Sequence, residues 1–285
     1  MVQDSGGVSS GTQIEGAHTT QLAEGMPFLA LSVLVPTVLI GIAEAFFFMK
    51  DLEIPLAIHG LNLMYCILAP FLLNIPPGIF QAFSLVSLLR MMNISMPVFF
   101  DMTIYWLPFI YAPVIVVGFM IAMYGFSDGG LSLRGLIELA RGRIRDANAK
   151  TIVLYITVGI GLGALLGFIE YQVLGPERLI PDITFGSLLL LGIVMFAFVG
   201  LGEELVFRYL LQDRFKRVMG TASAILLASL IFTLMHSGYS QLFYLVYVFF
   251  IGLIFGISYE RTRSLLFVTI LHGAINFFLF SVFPY

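Results

Sequence analysis

From Met26 to Tyr285 the chain is a succession of apolar runs, each near the roughly 20 residues that carry a helix across about 30 Å of hydrocarbon. Nine can be marked, at 27–49, 54–74, 76–96, 104–125, 151–174, 185–207, 218–237, 241–259 and 264–283. The runs are continuous and not alternating, which is the pattern of spanning helices and not of a membrane β-barrel. The expected fold is therefore all-α, a polytopic transmembrane helix bundle of 8–9 spans. The third run sets the spread. It opens on Pro76-Pro77 and contains Arg90, as a re-entrant or interfacial helix would, and without it eight spans remain.

Composition agrees with a membrane chain and excludes several function classes. Only 11% of the 285 residues are charged, against about 25% in a soluble domain. With 14 basic and 17 acidic residues the formal net charge is -3, which argues against a nucleic-acid partner. Cys66 stands alone, which rules out an intrachain disulfide and a Cys-based metal cluster. Metal chemistry would have to draw on His18, His59, His236 and His272 with carboxylates.

Four regions follow. Residues 1–25 are rich in Gly, Ser and Thr and hold no Lys or Arg; they read as a flexible tail without the basic start of a signal peptide, and no cleavage is expected. Residues 26–125 form the N-terminal transmembrane helices, 126–150 a basic segment, and 151–285 the polar-bearing C-terminal bundle. Basic residues cluster in three connections: Arg134, Arg141, Arg143, Arg145 and Lys150; Arg214, Lys216 and Arg217; and Arg261 and Arg263. All three can face the cytoplasm together, leaving 175–184 and 238–240 outside. The stretch 132–150 reads as an amphipathic surface helix or as an ordinary basic loop that fixes topology.

Ionisable side chains inside apolar spans are costly, so each is a functional candidate. Glu44, His59, Arg90 and Glu170 occur singly, near span ends or in the weak third run, and are expected to be structural or interfacial. A denser set occupies the last hundred residues: Glu203, Glu204, Arg208, His236, His272 and Asn276. Glu204 and Arg208 are four apart and can pair on one helix face. Glu203 is turned away from that face and needs another partner. His272 and Asn276, again four apart, set an imidazole beside an amide. Helix rise places all four of Glu203, His236, His272 and Asn276 in one broad layer, where they can meet at a buried cavity expected to open to the cytoplasm. A carboxylate beside imidazoles supplies a general base for water, and an imidazole with an amide supplies donors for an oxyanion. Glu203, His236 and His272 also read as a two-His, one-carboxylate zinc site with open positions.

The segments EELVFR (203–208), FTLMH (232–236) and HGAIN (272–276) have the forms EExxxR, FxxxH and HxxxN. In this order they resemble the motifs of the glutamate-type intramembrane proteases, the CAAX protease and bacteriocin-processing and immunity family that includes the type II CAAX prenyl endopeptidases. The resemblance covers about residues 150–284. It implies a hydrolase in which Glu203 activates water with His236, His272 and Asn276 bind the oxyanion, and Glu204 and Arg208 support the site. It implies as substrate a peptide or prenylated protein of CaaX type; the chain is expected as a multi-pass protein of the cell membrane, in contact with the lipid bilayer and with its cavity facing the cytoplasm. No required cofactor is the favoured expectation, with Zn2+ the alternative. HExxH, GxGD and GxSG are absent, which separates the chain from zinc-site, aspartyl and rhomboid-like intramembrane proteases. Two non-enzyme readings use the same residues: a proton-coupled transporter and a catalytically silent scaffold with polar interhelical contacts.

Overall fold

The structure, a computed structural model, describes residues 28–99, 104–124, 133–142 and 148–284. The tail at 1–25 with His18, and Arg143 and Arg145, lie outside these residues. Helices are α1 (Ala30–Phe48), α2 (Glu53–Leu73), α3 (Gly78–Phe99), α4 (Leu107–Tyr124), α5 (Leu133–Arg141), α6 (Ala149–Leu174), α7 (Phe185–Met219), α8 (Thr221–Leu234), α9 (Leu242–Thr262) and α10 (Leu265–Ser281). No strand occurs among the described residues. Among the described residues eight helices are long and apolar enough to cross a membrane, and the 17-residue α10 is a shorter apolar one. Their outer faces show Leu61, Leu68, Val153, Leu154 and Phe243 uncovered. Such a surface would aggregate in water and suits lipid.

Local sequence sets the boundaries. Asn74 ends α2 in the left-handed region (φ 51°), and Pro76 and Pro77 keep the helix from resuming before Gly78. Asn148 caps α6 by accepting from the Thr151 amide at 2.9 Å, and Ser264 caps α10 by accepting from Phe267 at 3.2 Å. Gly220, at φ 82°, turns the chain between α7 and α8.

Two sequence expectations change. The third run, weak by hydropathy, is the 22-residue α3, and 56% of its most apolar window is covered by protein, against 22% for α6. Its lower hydropathy goes with protein neighbours over more than half of that window. The sixth run does not stop near residue 207. It continues as the 35-residue α7 to Met219, so Glu203 lies 17 residues, about 25 Å of helix rise, from the turn at Gly220.

The bundle is polar at one end in a defined way. There Arg263 donates to both carboxylate oxygens of Asp213 (2.8 and 3.0 Å), Lys216 pairs with Glu260, and Ser264 donates to the Ala140 carbonyl at 2.9 Å, docking α5. The 133–142, 213–220 and 260–264 segments thus share one end, and loop 175–184 and the turn Ser237–Tyr239 lie at the other. α6 approaches α10 closely: a Cβ added at Gly163 would stand 2.5 Å from Ala274 Cβ, and one at Gly167 2.7 Å from the Ile275 carbonyl. Glycines four apart let these backbones meet.

Candidate active site

The two motif carboxylates sit on a four-residue α-helical stretch, Leu201–Glu204, between two π-helical stretches of α7, Val194–Gly200 and Leu205–Gln212. Wider π turns inside helices concentrate at functional sites, because they re-aim neighbouring side chains. Glu203 and Glu204, successive on the α-helical stretch and so about 100° apart, reach different partners.

Glu204 is fully buried and bridges two groups. Its Oε2 accepts from Arg208 Nε at 3.1 Å, the predicted i,i+4 pair, and its Oε1 accepts from His272 Nδ1 at 2.8 Å. Arg208 is itself fully buried, with its guanidinium 5.1 Å from the Phe232 ring centre and 5.8 Å from that of Phe255. These ring faces add a favourable cation–π contact. His272 stacks on Phe255, with centroids 4.9 Å apart and planes at 24°.

Glu203 finds the partner that its own helix lacks. Its Oε1 accepts from the Tyr111 hydroxyl of α4 at 2.5 Å. Its Oε2 stands 3.8 Å from His272 Nε2 and is buried without a hydrogen bond. His236 follows the end of α8 and precedes the turn Ser237–Tyr239. Its Nδ1 donates to the Phe232 carbonyl at 2.9 Å, which explains the FxxxH spacing and leaves Nε2 as the free ring nitrogen.

A cavity of about 370 Å³ gathers these groups: Glu203, His236, His272 and Asn276 all lie on its wall. Arg208 and Glu204 lie behind it. Further polar residues line it that sequence had left among the structural singletons or unmarked, Arg90, Glu170 and Tyr111 among them. Glu170 accepts from Tyr244 at 2.9 Å. Arg90 and Glu170 carried a signal, a charge within an apolar run. Tyr111 carried none, since a tyrosine in a hydrophobic helix is unremarkable and its contact is 92 residues away in sequence.

The cavity wall also includes Leu179, Tyr239 and Phe280, which belong to the end with loop 175–184. The cavity wall therefore reaches toward the end of the bundle that carries loop 175–184. α7 extends farther than the sequence suggested, and His236 comes after the whole length of α8.

Among the described residues no three His, Cys, Asp or Glu side chains are gathered to hold an ion. Of the three zinc-ligand candidates, His272 gives Nδ1 to Glu204 and His236 gives Nδ1 to a carbonyl, the arrangement that leaves Nε2 of each histidine as the nitrogen available to an ion.

Residues 185–278, about a third of the chain, match the model of a family described as type II CAAX prenyl endopeptidase Rce1-like. No curated protein and no solved structure matches the chain. The matched stretch begins with α7 and ends within α10, taking in EExxxR, FxxxH and HxxxN together. Over residues 185–278 the chain is thus similar to the Rce1-like type II CAAX prenyl endopeptidases, and the helices before α7 lie outside that likeness.

Proposed function

We propose that this protein is an intramembrane endopeptidase that hydrolyses a peptide bond with water activated by Glu203 and His236, without a metal. The observation that carries this reading is the Glu203 Oε2, buried without a hydrogen bond on a cavity wall shared with two imidazoles and an amide. A carboxylate oxygen held free of protein donors is suited to take a proton from water. Tyr111 fixes the other oxygen, and His236 presents Nε2 as the second acceptor for that water.

His272 and Asn276 then donate to the oxygen of the tetrahedral intermediate. For His272 to donate from Nε2 while Nδ1 faces Glu204, both ring nitrogens must carry hydrogen, and the carboxylates of Glu203 and Glu204 on either side balance that charge. The proton gained by Glu203 passes to the leaving amine. The Rce1-like segment directs the choice of substrate to the C-terminal region of CaaX-type proteins, prenylated ones first.

The test is incubation of detergent-purified protein with prenylated and unprenylated CaaX peptides, with products read by mass spectrometry. Cleavage is expected, and it should disappear in Glu203→Gln. Absence of cleavage, together with proton-coupled flux in liposomes, would favour the transporter reading instead. For the metal-free route, activity should survive chelation in protein carrying less than stoichiometric zinc. Activity lost on chelation and restored by zinc alone would overturn it.

A further inference from the structure

The N-terminal helices, outside the family-matched stretch, carry a polar cluster that ends at the residue after His236. Glu44 of α1 is buried and takes four hydrogen bonds. Its Oε1 accepts from His59 Nε2 (2.9 Å) and Arg90 Nε (2.7 Å); its Oε2 accepts from Arg90 Nη2 and from the Ser237 hydroxyl. Arg90 Nη2 also donates to Ser237 Oγ at 3.0 Å, and its guanidinium lies 4.3 Å from the Phe47 ring centre. Ser87 and Asn62, both buried, extend the cluster: Asn62 donates to Ser87 at 2.9 Å, and His59 Nδ1 is 3.5 Å from the same hydroxyl.

The rest of the 237–240 turn is held from the same side. Lys50 donates to the Gly238 carbonyl at 2.8 Å, and Ser240 donates to the Phe48 carbonyl at 2.7 Å. A Cβ on Gly238 would stand 2.4 Å from the Phe47 ring, so glycine permits the contact. His236 is thus tied to α8 through Phe232 on one side and to α1 and α3 through Ser237 on the other.

A buried ion pair gains little over an apolar pair of the same size, so stability alone is a weak reason to place one here. What this one adds is a fixed position for the backbone that bears His236. We propose that Glu44 and Arg90 act as positioning residues, holding His236 through Ser237 in register with Glu203. This rests on the peptidase reading for its kinetic test, though not for its chemical one. A displacement of about 1 Å at a reacting group can cost about 10²-fold in rate.

Arg90→Gln and Ser237→Ala are each expected to lower kcat by about 10- to 100-fold with KM unchanged. Ser237→Thr, which keeps the hydroxyl, should recover most of the loss. Glu44→Gln with Arg90→Met removes both charges together and should keep the thermal midpoint while kcat stays low. If kcat returns to the wild-type value in that stable double variant, the cluster is only structural and the proposal fails. It also fails if Arg90→Gln raises KM for peptides with a free C-terminal carboxylate and not for their amides, because Arg90 would then bind substrate. Carbethoxylation of His236 by diethylpyrocarbonate, followed by mass spectrometry, needs no peptidase activity. Its rate should change several-fold in Ser237→Ala and Arg90→Gln; equal rates in both variants and wild type would overturn the positioning role even if no peptide is ever cleaved.

Discussion

The two adjacent carboxylates differ in what their removal leaves behind. Glu203→Gln keeps size and the Tyr111 contact while removing the base, so activity should fall by about 10²–10⁴-fold with the unfolding midpoint unchanged. Glu204→Ala strands Arg208 as a buried cation and releases His272, a change that costs about 3–5 kcal/mol where a buried pair is broken. Thermal unfolding in detergent should therefore separate the two, with the large loss at Glu204. If both variants lose activity equally while both stay folded, the carboxylates share the base role. Asn276→Ala should lower kcat by about 10²–10³-fold with little effect on substrate binding, as loss of one oxyanion donor does. Residue types and helical spacing made Glu204–Arg208 and the His272–Asn276 pair legible. The role of Arg90 was not legible, because a lone cation in a weak span does not announce that its partners are Glu44, 46 residues away, and Ser237, 147 residues away.

Helices were easier to read than their neighbours. A continuous apolar run states that a segment is buried in something, lipid or protein, and α3 shows why the distinction fails locally: its Arg90 lowers hydropathy at the place where protein surrounds it. The π-helical windings that flank Leu201–Glu204 left no mark either, since their sequences VMFAFVG and LVFRYLLQ would serve an α-helix equally well. The seam between α6 and α10 was present in the sequence as Gly159, Gly163 and Gly167 at four-residue spacing, but its partner was not. Because the Cβ of an alanine at 167 would meet backbone and not a movable side chain, Gly167→Ala is expected to destabilise by about 1–3 kcal/mol. The same shift of α10 would displace His272, so activity should fall with stability. An unchanged midpoint would mean that the two helices can separate by a few tenths of an ångström at no cost.

At the scale of the whole molecule, charge and cavity point to opposite ends. Arg141 and Lys150, Arg214, Lys216 and Arg217, and Arg261 and Arg263 gather around α5 and the turn at Gly220, whereas the cavity wall reaches Leu179, Tyr239 and Phe280. By the positive-inside rule the first end is expected to face the cytoplasm. A peptide would then reach Glu203 from the far side or from within the bilayer, and a prenyl chain, which partitions into lipid, is compatible with the second route. Single cysteines at Ser5, Ala147 and Val282, in a Cys66→Ser background, allow whole-cell labelling with a membrane-impermeant maleimide; Val282 is exposed. Position 147 should stay protected until permeabilisation, and position 282 should be labelled from outside. Labelling at 147 in intact cells would reverse the molecule, put the cavity end in the cytoplasm, and give soluble CaaX tails direct access to the His236 turn. Protection at 147 with cleavage confined to prenylated peptides would instead establish lateral access through lipid as the way substrate reaches the site.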